Sequence, residues 1–146
     1  MTKGPSQHLT WKELACKDGT VYPLGWRDSR AAILAQEFEK IRALVGGPIR
    51  IGSAYRTPEH NRKIGGAQHS QHVEGRALDL YPPETLSVVE FGNIIKSYAA
   101  YKESKIYGLG FYPTFIHIDV RPKPEHGRLI VWQGSRAWAE LKKAGG

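Results

Sequence analysis

The sequence predicts an α+β fold: a small, largely antiparallel sheet with helices packed on one face and polar chemistry on the other. Two segments carry that prediction. Ala77-Leu78-Asp79-Leu80-Tyr81 and Phe115-Ile116-His117-Ile118-Asp119-Val120 both alternate apolar and polar residues with the period of a strand. The third observation is a pair of apolar stripes at helical spacing, Leu34, Phe38, Ile41 and Val45 in one segment and Val88, Phe91, Ile95 and Tyr98 in another. Successive side chains of a strand point to opposite faces, so Leu78 and Leu80 share one face, as do Ile116, Ile118 and Val120. Those faces meet the helices. Asp79 is left on the other side of its strand, and His117 with Asp119 on the other side of theirs.

Each element has a local reason. Residues 9–14 form one short amphipathic turn. Asp28 or Ser29 is placed to cap a helix running to Val45, where Gly46-Gly47 ends it. Pro48-Ile49-Arg50-Ile51 reads as a short strand. Thr57 followed by Pro58 is an N-cap with proline in the first turn, opening a brief helix toward Ile64 that Gly65-Gly66 stops. Residues 85–100 form the second long helix, lying between the two alternating strands.

Composition bounds the classes of function. The 146 residues are expected to form one domain spanning 1–146, enough chain for a single sizeable core. No stretch approaches the ~20 consecutive apolar residues of a membrane span, and residues 1–9 are polar with no apolar secretory core. The chain is therefore expected to be made in the cytoplasm without a signal peptide. A single cysteine, Cys16, excludes a disulfide framework within one chain and any four-cysteine zinc site. With 21 basic against 14 acidic side chains the formal charge is +7, which favours a polyanionic partner such as nucleic acid, anionic lipid or a bacterial wall. The basic residues are scattered, however. Their densest groups are Lys142-Lys143 and the stretch 121–128, broken by two prolines and Glu125, and no nucleic-acid recognition motif accompanies them.

The chemistry gathers around histidine. His72 and Asp79 are seven residues apart, Gly75 permits a sharp bend between them, and small Ala77 leaves room on the polar face. His72 can thus enter from a loop while Asp79 projects from the strand and His117 arrives from a neighbouring strand. Two imidazoles and a carboxylate with an open fourth position are the ligand set of a catalytic zinc site, whereas a structural zinc wants four protein ligands, usually with cysteine. The plainer reading is that any histidine-rich domain offers such a triplet. His60 and His69, in contrast, read as solvated loop side chains.

Ser70-Gln71-His72-Val73-Glu74-Gly75-Arg76-Ala77-Leu78-Asp79 resembles the S-x-H-x-x-G-x-A-x-D signature of zinc D-Ala-D-Ala carboxypeptidases, D-Ala-D-Ala dipeptidases and phage L-alanyl-D-glutamate endolysins. These are peptidoglycan metallopeptidases sharing a superfamily with the hedgehog signalling domain. Residues 53–61, Ser-Ala-Tyr-Arg-Thr-Pro-Glu-His-Asn, look like the family's S-x-Y-R-[ST]-x-x-x-N segment. Gly108-Leu109-Gly110-Phe111 and the residues after it resemble the glycine-rich hairpin before the last zinc ligand. Leu14-Ala15-Cys16-Lys17-Asp18-Gly19 is similar to the opening of phage and bacterial members. Together the four ordered segments span most of the chain.

The resemblance implies one Zn²⁺ held by His72, Asp79 and His117, with water in the fourth position. It implies Arg56 as the arginine that binds a substrate carboxylate or polarises the scissile carbonyl; a salt bridge holding the loop is its alternative role. Ser70 either contacts substrate or holds its loop. The implied activity is hydrolysis of amide bonds in peptidoglycan stem peptides by a phage or bacterial lytic enzyme acting on the cell wall. The expected partner is that stem peptide, with no nucleic acid and no membrane span, and the chain is expected to be a monomer. Family members carry Asp or Glu three residues before the last zinc histidine, or histidine five residues before it; here those positions are Thr114 and Tyr112. Asp119 is then the nearest carboxylate, either accepting the proton or orienting a ligand histidine. Tyr112 is a candidate donor to the oxyanion, with hairpin packing as its alternative. Trp132, Tyr112 and Phe111 are candidates for lining the cleft. Thr114 in place of an acid keeps open a second reading, a non-catalytic zinc-binding module of the same fold.

Overall fold

A computed structural model describes residues 3–134, so the Lys142-Lys143 pair lies outside the described residues. Along the chain come α1 (Trp11–Leu14), α2 (Ala32–Val45), β1 (Arg50–Ser53), α3 (Pro58–Lys63), β2 (Ala77–Tyr81), α4 (Val88–Ala99), β3 (Gly108–Phe111), β4 (Ile116–Asp119) and β5 (Ile130–Gln133). The sheet has the order β1-β2-β4-β3-β5. All neighbours run antiparallel except β5, which lies parallel to β3 on the outer edge. The α+β class and the mostly antiparallel sheet match the sequence expectation.

Capping explains most helix starts. Thr10 and Glu13 form a reciprocal capping box at α1, and Ser87 with Glu90 forms another at α4. The second box fixes the start of α4 at Val88, three residues later than the sequence suggests. The Thr57 side chain accepts the His60 N–H at α3, with Pro58 in the first turn. The expected cap of α2 by Asp28 or Ser29 does not form. The chain is already helical upstream, as a 3₁₀ turn over Leu24–Trp26 and a π turn over Arg27–Ala31, so both residues lie inside a continuous helical run. Backbone carbonyls upstream then satisfy the amides that a side-chain cap would serve. Gly46 ends α2 in the left-handed region, its N–H bonded to the Arg42 carbonyl. β1 begins at Arg50, two residues past Pro48, which has no N–H for a ladder.

Helices α2 and α4 cover one face of the sheet. Leu34, Phe38 and Ile41 of α2 and Phe91 and Ile95 of α4 are fully buried with Leu78, Leu80, Leu109, Ile116 and Ile118. Val45, Val88 and Tyr98 pack half-buried at the margin of this cluster. Buried Glu37 of α2 ties the layer together. Its carboxylate accepts hydrogen bonds from the Tyr98 hydroxyl, the Ser104 hydroxyl and the Lys105 amide, so the charge is satisfied where it lies.

The opposite face is set by register. A bulge between Ile51 and Ser53 brings Ser53 level with Asp79, which pairs with His117, which pairs with Gly110, which pairs with Trp132. One row of side chains thus crosses all five strands. In the next row, Asp119 stands between Ala77 and Gly108. A close approach lies beneath α4, where a Cβ on Gly92 would collide with the Phe111 ring and stand 2.8 Å from Ile116 Cδ1.

In an exposed helix Gly→Ala would gain roughly 0.8–1 kcal/mol from helix propensity. At Gly92 the expected outcome has the opposite sign: Gly92→Ala should destabilise by about 1–3 kcal/mol, the usual range for overpacking. A urea midpoint that falls with an unchanged slope checks it, and a raised midpoint would overturn the packing described.

Candidate metal centre

The loop that delivers His72 is assembled from short backbone and hydroxyl bonds. The Ser70 hydroxyl accepts the His72 N–H, the His72 carbonyl accepts the Arg56 N–H, and Gly75 turns the chain into β2 with φ at +68°. Glycine is needed there twice over, because a Cβ would also stand 2.7 Å from the Trp26 ring and 2.8 Å from the Tyr22 hydroxyl. That hydroxyl donates to the Gly75 carbonyl at 2.6 Å, pinning the bend.

His72, Asp79 and His117 converge on the polar face, each offering a ligand atom within 4.8 Å of the others. Asp79 Oδ1 is 3.1 Å from His72 Nε2 and 3.2 Å from His117 Nδ1, and all three residues are buried. The remaining ring nitrogens decide what these contacts mean. His72 Nδ1 lies 2.6 Å from the Ala54 carbonyl, which only accepts, so that nitrogen donates and Nε2 turns its lone pair toward Asp79. His117 Nε2 lies 2.8 Å from Asp119 Oδ2 and donates likewise, so Nδ1 turns its lone pair inward. A carboxylate oxygen facing two imidazole lone pairs is a set of donors without a positive centre, and a divalent cation supplies one. The residues fit such an ion.

The two imidazoles are shifted in opposite directions. Burial holds His72 below its ordinary pKa, with Asp79 opposing, so the ring is neutral as a ligand must be. For Asp79 burial acts upward, but His72 and His117 outweigh it and hold the carboxyl far below the usual range. His117 is pushed up, since its bonds to Asp119 and Asp79 overcome its burial. Asp119 has no exposed surface. Its burial is offset by Arg121, which grips it through Nε at 2.7 Å and a second guanidinium nitrogen at 2.8 Å, and by His117, leaving its pKa at about 2. The carboxylate fits because its neighbours are small: a Cβ on Gly108 would overlap its oxygens.

His72, Asp79, His117 and Arg121 line a cleft of about 320 Å³, with Asp119 buried behind His117. Arg56 enters it from the β1–α3 loop, held by Nε to the Ser53 hydroxyl and by a second nitrogen to Asn61 Oδ1, both at 3.1 Å, with its third nitrogen 3.5 Å from Asp79 Oδ2. Asn61 is buried and donates to the Ala67 carbonyl, so α3 sets the position of the guanidinium. Tyr112 stacks on Phe115 at 4.6 Å, and Trp132 Nε1 donates to the Tyr112 hydroxyl. The Trp132 ring reaches His117 at 5.1 Å across Gly110, where a Cβ would stand 2.7 Å from the indole nitrogen.

Of the residues the sequence singles out for the site, the structure brings together Arg56, Ser70, His72, Asp79, Tyr112, His117, Asp119 and Trp132. Phe111 is the exception among the aromatics. It is half-buried on the helix face beside Gly92, since odd positions of β3 point away from the cleft. Phe115, His69 and Gln71 also line the cleft, of which the sequence singles out neither Phe115 nor Gln71 for the site. Gln71 Oε1 is buried without a hydrogen-bond partner among the described residues, an acceptor available to a ligand. Its place beside His72 was the only signal for it. His69, read as solvated, is exposed at the rim.

A family model for peptidase M15 matches residues 7–119. No match is found among curated proteins.

Asp119→Asn keeps the shape of the residue next to His117 but removes its charge. The expected result is a roughly 10- to 100-fold weaker hold on metal, the usual effect of losing a carboxylate behind a ligand histidine. Competition against a chromogenic chelator measures it, and unchanged affinity would show that Asp119 does not support His117 as a ligand.

Proposed function

The chain belongs to the peptidase M15 family, and from that premise we propose a zinc-dependent peptidase that hydrolyses amide bonds in the stem peptides of bacterial peptidoglycan. We assign it the D-Ala-D-Ala carboxypeptidase or endopeptidase type, working as a phage or bacterial lytic enzyme on the cell wall. The observation that carries this reading is the buried convergence of His72, Asp79 and His117 at the floor of an open cleft. Three ligands, two of them imidazoles with their outer nitrogens already committed, suit a metal that keeps one place for water. The formal charge of +7 would concentrate such an enzyme on an anionic wall.

Zn²⁺ held by these three residues would lower the pKa of a bound water to about 7 and polarise the scissile carbonyl. The other residues divide the remaining work. Arg56, fixed by Ser53 and Asn61, binds a substrate carboxylate or neutralises charge growing on the carbonyl oxygen, tasks suited to a planar guanidinium. Asp119 is a positioning residue: both of its oxygens are engaged and it has no exposed surface, so it fixes the ring and tautomer of His117 and does not collect the proton. Ser70 holds the His72 loop from the cleft wall. Tyr112 is assigned to donate to the oxyanion, and Trp132 with Phe115 forms the wall against which the peptide lies.

One observation favours a second reading, a non-catalytic zinc-binding module. Thr114 occupies the exposed tip of the β3–β4 turn, closed by a bond from the Tyr112 N–H to the Phe115 carbonyl, and so no carboxylate stands three residues before His117.

Purified peptidoglycan incubated with the protein should release stem-peptide fragments, identified by mass. Chelation should stop the release and added zinc restore it. Arg56→Ala should lower kcat/KM by about 10²–10³, the loss typical of one transition-state donor. A protein that binds one zinc at His72, Asp79 and His117 yet releases nothing would establish the module instead.

A further inference from the structure

A second set of metal-ligating atoms lies outside the cleft. Cys16, Asp18 and His60 each offer one ligand atom, and these atoms lie within 4.8 Å of one another. Two of the residues come from the loop after α1 and the third from α3, more than forty positions later in the chain. We propose that Cys16, Asp18 and His60 form a second divalent-cation site, of the zinc class, that clamps the loop after α1 to α3.

The donor chemistry carries the assignment. A thiolate, an imidazole and a carboxylate together suit zinc, which accepts sulfur, nitrogen and oxygen at one centre, and do not suit calcium or magnesium, which take oxygen. The loop already has the shape such a site needs. The Cys16 N–H donates to the Thr20 carbonyl and the Gly19 N–H to the Cys16 carbonyl, closing a tight turn. The Thr20 N–H donates to Asp18 Oδ1 at 2.8 Å, and the Thr57 hydroxyl to Asp18 Oδ2 at 3.0 Å. These two bonds fix the orientation of the Asp18 carboxylate within the cluster.

A depression of the surface runs along the cluster, lined by Asp18, Glu59, His60, Arg62 and Lys63. Glu59 there is a candidate fourth donor. Arg62 and Lys63 bring two positive charges to the same depression, which places the affinity of this site below that of the His72 centre. The clamp also has a consequence for the cleft. The Tyr55 N–H donates to the Leu14 carbonyl, and Arg56 follows directly, so an ion between Cys16 and His60 would brace the segment carrying Arg56 from outside. His60, which reads as solvated in the sequence, acquires a role.

Cobalt distinguishes the two centres, because Cys16 is the only cysteine of the chain and the His72 centre has no sulfur. Apo full-length protein titrated anaerobically with Co²⁺ should develop a thiolate-to-cobalt charge-transfer band in the near ultraviolet, and zinc analysis should give two equivalents per chain. Mild chelation should remove the sulfur-bound ion first. His60→Ala and Asp18→Asn should abolish the band and leave one equivalent, whereas His117→Ala should keep the band and lose the other equivalent. Cys16 is buried, so Cys16→Ser risks the fold; His60 is half-exposed, and its variant keeps the thiol. No band at saturating cobalt, or a band that survives His60→Ala, would overturn the proposal. A protein that shows the band but hydrolyses no peptidoglycan would leave this site standing and remove the peptidase reading.

Discussion

The site depends on one oxygen. Asp79 Oδ1 stands between two imidazole nitrogens whose ring partners are already committed, one to the Ala54 carbonyl and the other to Asp119. Because those outer bonds fix both tautomers, three lone-pair donors face one small volume with water largely excluded. Such a cluster is unfavourable by itself, since buried polar groups without complementary partners lose their hydration and gain nothing for it. The surrounding fold has to hold it together. That holding is done by the antiparallel ladder, which puts Asp79 opposite His117: a slip of β2 by one residue would send Asp79 into the helix-covered core and leave His117 behind.

The polar layer is made possible by side chains that are missing. Ala77 and Gly108 flank Asp119 in its row, and Gly110 lies between His117 and Trp132. At Gly108 any side chain would displace the carboxylate, and at Gly110 it would displace the indole. The same logic recurs at Gly66, where a Cβ would overlap the Asn61 oxygen that holds Arg56. Strand β3 therefore serves two faces unequally. Leu109 and Phe111 fill the space under α4, while the glycines between them make room for charged and aromatic groups projecting from β4 and β5.

Alternation made the centre of the molecule legible. Leu78, Leu80, Ile116 and Ile118 were placed on the core face and Asp79, His117 and Asp119 on the other because a strand leaves no third choice, and the register then brought them together. His72, a loop histidine with no periodic pattern, was legible from its seven-residue spacing to Asp79 and from the S-x-H-x-x-G-x-A-x-D resemblance. Less visible were features whose cause is tertiary. The 3₁₀ and π turns ahead of α2 replace a side-chain cap with backbone bonds, and nothing local announces that. Strand β5, only four residues of Ile-Val-Trp-Gln, is a strand because the edge of β3 is free to receive it. Phe111, a candidate for the cleft wall in the sequence, stands two residues after Leu109 and so shares its helix-covered face, while Gly108 and Gly110 lie on the cleft face.

The family match ends at Asp119, yet the site does not. Arg121 lies just past that boundary and grips Asp119, which steadies His117. Trp132 lies further on, packed against His117, bonded to Tyr112 and covered by the Arg121 guanidinium at 5.5 Å. The matched region thus contains the three ligands and Arg56, groups that would meet any amide bond alike. The aromatic wall straddles the boundary, with Tyr112 and Phe115 inside the match and Trp132 beyond it, where a short turn faces a parallel edge strand. Ligands of one kind can support cleavage of many peptides. On the proposed function, a preference for one bond over another would fall to those aromatic faces, which can distinguish peptides by shape and apolar contact where a metal centre cannot.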